Sequence, residues 1–237
     1  MAWGIGSLWS VLVSALAVIT GVLVPPAPPS PAPAPAPVVV ESRTPEESAA
    51  PSAPEEDKVD EISLVVVGDS ISHADSEAFP GRVGSRSWVP YATGDGVRLA
   101  GGWAENGATT TDMLAGVLPV DADVLVLLAG TNDVGTGLAF ETTAANLRQI
   151  VATVGAPRVI ISAVPPRDDA PDATMAFNGT LQGLALAEGW EFTDPMGALR
   201  EGGSYLPGMT DDGVHPTLPA AELIGAALRQ QITAPGP

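Results

Sequence analysis

Asp212, Gly213, Val214, His215 and Pro216 stand near the end of the 237-residue chain, and Gly68, Asp69 and Ser70 close an apolar run far upstream. Together they offer a hydroxyl, an imidazole and a carboxylate, the side chains that nucleophilic acyl transfer needs. Asp212 lies three positions before His215, so one turn of backbone can lay the carboxylate against one ring nitrogen and leave the other for Ser70. The chain has 2 histidines, so the choice of base is narrow. His73 is the rival base, with Asp75 near it but no carboxylate placed as Asp212 is for His215. Asp211 is the rival orienter. Asn132, in Gly130-Thr131-Asn132-Asp133, follows another apolar run and would give an uncharged side-chain donor to a developing oxyanion. Gly107 would bring a backbone N–H close to the same oxygen. Taken singly, Ser70 reads as a helix N-cap and Asn132 and Gly107 as turn residues; their combination favours chemistry.

Such a set needs elements that carry distant stretches of chain to one place. Apolar, β-branched runs over 62–67, 124–129 and 158–164 predict buried strands, with a weaker strand over 97–100 and a short one over 190–192. Helical patterns cover 140–154, 173–188 and 218–232. Continuous apolar strands alternating with helices predict a parallel sheet covered on both faces. Ligands of such sheets sit beyond the carboxyl ends of the strands, at the switch point in strand order. Ser70, Thr131-Asn132-Asp133 and Pro165-Pro166-Arg167 each follow a strand and are expected to meet there. Arg167 is a candidate contact for an anionic group of a substrate, against the plainer reading of an exposed arginine. Trp103, with Trp88 and Tyr91, is a candidate wall of the cleft, against the plainer reading of core packing. Asp168, Asp169 and Asp172 read as a solvated loop in preference to a calcium site.

Gly68-Asp69-Ser70-Ile71, Gly107, Gly130-Thr131-Asn132-Asp133 and Asp212-Gly213-Val214-His215-Pro216, in that order, resemble the four spaced blocks of the SGNH (GDSL-type) hydrolases. The resemblance spans nearly the whole of the expected folded domain. It implies Ser70 as nucleophile, His215 as base and Asp212 as its orienter. It also implies an oxyanion hole made by the backbone N–H groups of Ser70 and Gly107 and the side chain of Asn132. The implied fold is a three-layer α/β/α flavodoxin-like sandwich with a central parallel sheet. Ile71 replaces the leucine of the name-giving motif, one apolar anchor for another. The G-x-S-x-G elbow of the α/β-hydrolases is absent around Ser70.

Composition bounds the partners. With 10 Lys+Arg against 28 Asp+Glu and a formal charge of -18, the chain is repelled by phosphate backbones, and no nucleic-acid partner is expected. Cysteine is absent, which excludes disulfides, a thiolate nucleophile and Cys-based metal sites. Two histidines without cysteine do not suit a zinc site, and no phosphate-binding glycine loop is present, so neither metal nor cofactor is expected. Residues 2–24 carry no charged side chain and are long enough to span a bilayer. An uncleaved N-terminal anchor is the preferred reading and a cleaved signal segment the rival; both place the remainder outside the cytoplasm. Residues 25–37 hold 8 prolines and read as an extended polyproline spacer, continued by an acidic stretch to residue 61. The folded domain is expected over 62–237, as a monomer.

The function expected from all this is an extracytoplasmic serine esterase acting on a small-molecule or envelope acyl ester through an acyl-enzyme. A carbohydrate O-acetylesterase or an acyltransferase on the same triad, a non-catalytic envelope-binding domain, and a nucleotide- or flavin-binding module are the alternatives.

Overall fold

The computed structural model describes residues 61–236. The expected apolar segment 2–24 and the linker that follows it lie outside the described residues. Among the described residues no helix is long and apolar enough to cross a membrane.

The five strands of the sheet are β1 (Ile62–Gly68), β2 (Val97–Ala104), β3 (Val124–Leu128), β4 (Arg158–Ser162) and β5 (Glu191–Thr193). They lie in the order β2-β1-β3-β4-β5, and every pairing is parallel. This is the flavodoxin-like order, with its switch point between β1 and β3. Alternation along β1 decides what each face packs against. Leu64 and Val66 join a cluster with Trp88, Val89, Ala92, Ile224 and Leu228, from α2 (Val89–Ala92), the residue before it, and α7 (Leu218–Thr233). Val65 and Val67 join the opposite cluster with Met113, Leu147, Ile150 and Leu181. Those residues come from α3 (Thr110–Gly116), α5 (Phe140–Val154) and α6 (Pro171–Glu188). The result is three layers, helix, sheet and helix. Burial of both sheet faces is the reason β3 is an unbroken VLVLL and every residue of it is buried.

The remaining elements are short. α1 (Ser70–His73) follows β1, α4 (Thr131–Thr136) follows β3, and β6 (Arg200–Glu201) pairs antiparallel with β7 (Ser204–Tyr205). β2 runs to Ala104, four residues past the weak expectation, despite its two adjacent glycines. Its register with β1 slips between Leu64 and Val65, so the strand carries an irregularity that masks its pattern in the sequence. α6 starts at Pro171 and not at 173: proline at the first turn lacks only an N–H that has no intrahelical partner there.

Candidate active site

Each chemical group stands at a strand end because of a local feature of the chain. β1 stops at Gly68, where an added Cβ would lie 2.9 Å from the carbonyl oxygen of Leu128 and 2.3 Å from Ser72 Oγ. Only glycine allows that approach, and it lets the chain turn directly from the strand into α1. Asp69 caps α1 by accepting the Ile71 N–H on Oδ1 at 2.9 Å, and Ser70 opens the helix, 8% exposed. Gly107 lies beyond β2 with φ +79, a left-handed conformation that disfavours other residues, with open space around it. Asn132 sits in the first turn of α4, directly beyond β3, and its Nδ2 donates to Ala108 O at 2.9 Å. An amide nitrogen carries two hydrogens, so one remains for a ligand.

His215 stands on the loop between β7 and α7. Asp212 folds back on its own loop: Oδ1 accepts the N–H groups of Val214 (3.0 Å) and His215 (2.8 Å). Its Oδ2 lies 2.7 Å from His215 Nδ1, and His215 Nε2 lies 2.9 Å from Ser70 Oγ. A carboxylate only accepts, so Nδ1 must carry the proton, and Nε2 is left to accept from the Ser70 hydroxyl. Partial burial acts to raise the Asp212 carboxyl, but the hydrogen bonds from the His215 backbone, its ring and Val214 prevail and hold it at about 2. Asp212 is therefore an anion throughout the neutral range. Asp211 is not available for that part, because its carboxylate pairs with Arg86. His73, the rival base, points its Nδ1 at the carbonyl of Ala74 at 3.2 Å.

Ser70, His215 and Asp212 share a cavity of about 680 Å³ with Gly107 and Asn132. The four separated blocks of sequence thus meet beyond the carboxyl ends of β1, β2 and β3. A family model described as the GDSL-like lipase/acylhydrolase family matches residues 66–223, which contain all four blocks. The chain belongs to that family. Solved structures of the same fold include a lipase/acylhydrolase from Enterococcus faecalis, with a TM-score of 0.59 and 21% identity over 72% of this chain and 95% of that one. A GDSL-like lipase from Bacteroides thetaiotaomicron gives a TM-score of 0.57 and 22% identity over 72% and 87%. A member of the lipolytic G-D-S-L family from Veillonella parvula gives 0.53 and 17% over 69% and 93%. No curated protein matches the chain.

Two candidates of this GDSL-like chain lie outside the cavity wall. Arg167 does follow β4, yet its guanidinium donates to Thr131 O at 3.2 Å and is paired with Asp169 at 2.8 Å. It braces the start of α4, and with its cationic group so engaged it is not free to meet a substrate anion. Trp103 lies on β2 and lines a separate apolar groove with Val65, Val67 and Val117, on the α3 side of the sheet. An added Cβ on Gly116 would collide with its Nε1, so the indole packs closely against α3. Trp88 is core, 0% exposed, as its plainer reading has it.

Several residues hold the site in ways the sequence did not indicate. Asp133, fully buried, accepts from Thr110 N (3.0 Å), Thr110 Oγ1 (2.6 Å) and Thr143 Oγ1 (2.7 Å), and so locks α4 to α3 and α5. Tyr205 Oη donates to Val214 O at 2.9 Å, and Asp168 N–H donates to Gly213 O at 2.9 Å. Burial, with Asp168, Asp212 and Asp69 around it, raises the Tyr205 phenol well above its usual range and keeps it a donor. Thr210 Oγ1 donates to His215 O at 2.8 Å and accepts the Gly213 N–H at 2.9 Å. Asp133 needs those donors because a buried carboxylate is costly without them.

Proposed function

We propose that the protein is an extracytoplasmic serine esterase that hydrolyses carboxylic esters of short acyl groups through Ser70, His215 and Asp212. The observation that carries this reading is the unbroken chain from Asp212 Oδ2 to His215 Nδ1 at 2.7 Å and from His215 Nε2 to Ser70 Oγ at 2.9 Å, beside a cavity that all three line.

In this mechanism the Ser70 oxygen attacks the ester carbonyl while its proton passes to His215 Nε2. The oxyanion accepts from the N–H groups of Ser70 and Gly107 and from Asn132 Nδ2, a reading supported by the shared cavity that these three residues line. Collapse breaks the C–O bond, and the His215 proton leaves with the alcohol. Water then gives its proton to His215, attacks the acyl-Ser70 carbonyl, and Ser70 recovers its hydrogen as the acid departs. The sequence of steps uses no cofactor. A short acyl group is favoured because the apolar side chains of the cavity wall are Ile71, Ala74 and Pro216, with no long apolar trough among them. The extracytoplasmic placement rests on the uncharged apolar run 2–24 and the proline-rich stretch after it.

The deciding experiment is a p-nitrophenyl ester series from acetyl to lauroyl with Ser70→Ala as the blank. Wild-type turnover is expected to fall with acyl length, and Ser70→Ala is expected to lose both turnover and labelling by a fluorophosphonate. Labelling that persists in Ser70→Ala would remove Ser70 as nucleophile. Acetylated sugars and added acyl acceptors in the same series separate deacetylation and transfer from simple hydrolysis. A wild type inert on every ester would favour a binding domain. N-terminal sequencing of the exported protein tests the leader.

A further inference from the structure

Ser70 and His215 are drawn together by more than their own hydrogen bond. Within α1, Ser72 is gripped from outside: Ser87 Oγ donates to Ser72 O at 2.6 Å, and Trp88 Nε1 donates to Ser72 Oγ at 2.9 Å. Arg86 immediately precedes Ser87. Its backbone N–H donates to Asp75 Oδ1 at 2.9 Å, which fixes where its side chain starts, and its guanidinium pairs with the Asp211 carboxylate. Asp211 immediately precedes Asp212, and its own N–H donates to His215 O at 3.1 Å. The contacts close a ring: Ser70, α1, Ser87, Arg86, Asp211, Asp212, His215 and back to Ser70.

On its far side the loop carrying the base is held by Tyr205 and Asp168. On the nucleophile side, the Arg86–Asp211 pair is the one ion pair or hydrogen bond between segment 74–87 and loop 210–216 among the described residues. We infer that Arg86 is a positioning residue, whose ion pair with Asp211 sets the reach of His215 to Ser70. The inference rests on the esterase reading of the same site. The two side chains are 45% and 50% exposed, so the pair adds little to folding and is screened by salt. Its effect is on the rate, because a small misplacement of reacting groups is costly even when binding is intact.

The test uses the full chain on p-nitrophenyl acetate, with Arg86→Ala, Asp211→Ala, the double variant and Arg86→Lys. Each single alanine variant is expected to lose about tenfold in kcat, with KM and the unfolding midpoint close to wild type. The double variant is expected to be no worse than either single one, because the two act through one contact. Arg86→Lys is expected to recover most of the rate. Wild-type kcat should fall with added salt toward that of Arg86→Ala, which should itself respond little. An unchanged kcat in Arg86→Ala, losses that multiply in the double variant, an effect confined to KM, or a salt-independent wild type would each overturn the inference. An inert wild type would overturn it together with the esterase reading; an active wild type with an indifferent Arg86→Ala would overturn it alone.

Discussion

Asp69→Asn is expected to stabilise the protein at neutral and alkaline pH and to leave it nearly unchanged in acid. Asp69 is 0% exposed; Oδ1 accepts the Ile71 N–H, while Oδ2 has no hydrogen-bond partner. Burial pushes its carboxyl up from 3.8 to about 6, the Asp133 charge adds to the rise, and the Ile71 N–H and the Thr131 hydroxyl oppose it. The Thr131 hydroxyl is close enough to matter but falls short of hydrogen-bond geometry, since its Oγ1 is itself unpartnered. A native carboxyl raised above its unfolded value adds stability that is complete below 3.8 and lost as pH climbs through about 6. At about 1.4 kcal/mol per tenfold step in proton affinity, ionising Asp69 in the folded state costs about 3 kcal/mol, an upper figure because any relaxation lowers it. Asparagine keeps the acceptor for the Ile71 N–H, carries no charge and presents a donor toward Thr131. Urea unfolding at pH 4 and pH 8 measures the difference. The variant should gain about 1–3 kcal/mol at pH 8 and little at pH 4. A variant that is destabilised equally at both values would refute the reasoning, because it would mean that Asp69 acts in folding through its shape alone.

Asn132→Ala should keep the fold and lose about 3 kcal/mol of transition-state stabilisation, read as kcat/KM on a short ester; full activity would take Asn132 out of the oxyanion hole. Asp212→Asn should lower kcat by about 10²-fold, less than for a buried triad carboxylate, because Asp212 is 54% exposed and water can take its place in part. With its carboxyl held at about 2, Asp212 gives a contribution present above the usual carboxylate range and lost only as pH falls through about 2. Wild-type activity should therefore show no acid limb assignable to Asp212 above pH 3, and a pH–rate profile in which Asp212→Asn removes a limb between pH 4 and 6 would contradict it.

The contacts among Ser70, His215 and Asp212 were legible because their information is local. A spacing of three residues lets Asp212 reach His215, and a strand ending in glycine announces Ser70. The parallel sheet was legible for the same kind of reason: β1, β3 and β4 are buried on both faces and read as continuous apolar runs. What escaped is what depends on where a side chain lands after packing. Arg167 does follow β4, but the sequence does not record that Thr131 O and Asp169 stand within its reach. Trp103 alternates onto the α3 face, a choice set by the irregular register of β2. The helix α3 went unread although Thr109 and Asp112 form a capping box, because its seven residues are too few to show a helical period.

The strand order explains why the costly groups are gathered where they are. At a switch point the neighbouring strand connections leave in opposite directions, so the backbone opens a crevice with no helix directly over it. Ser70, Asn132 and the buried acids Asp69 and Asp133 stand beyond the adjacent ends of β1 and β3. Asp133 has three donors, which reach both of its carboxyl oxygens. Asp69 has one on Oδ1 and none on Oδ2, one residue from Ser70. Stability alone would not select an ionisable group there in preference to asparagine, so the carboxyl marks a place where local consistency has been given up. The stability lost to the ionised Asp69 is therefore what keeping a carboxyl at this strand end costs, and Asp69→Asn should recover it as pH climbs above about 6.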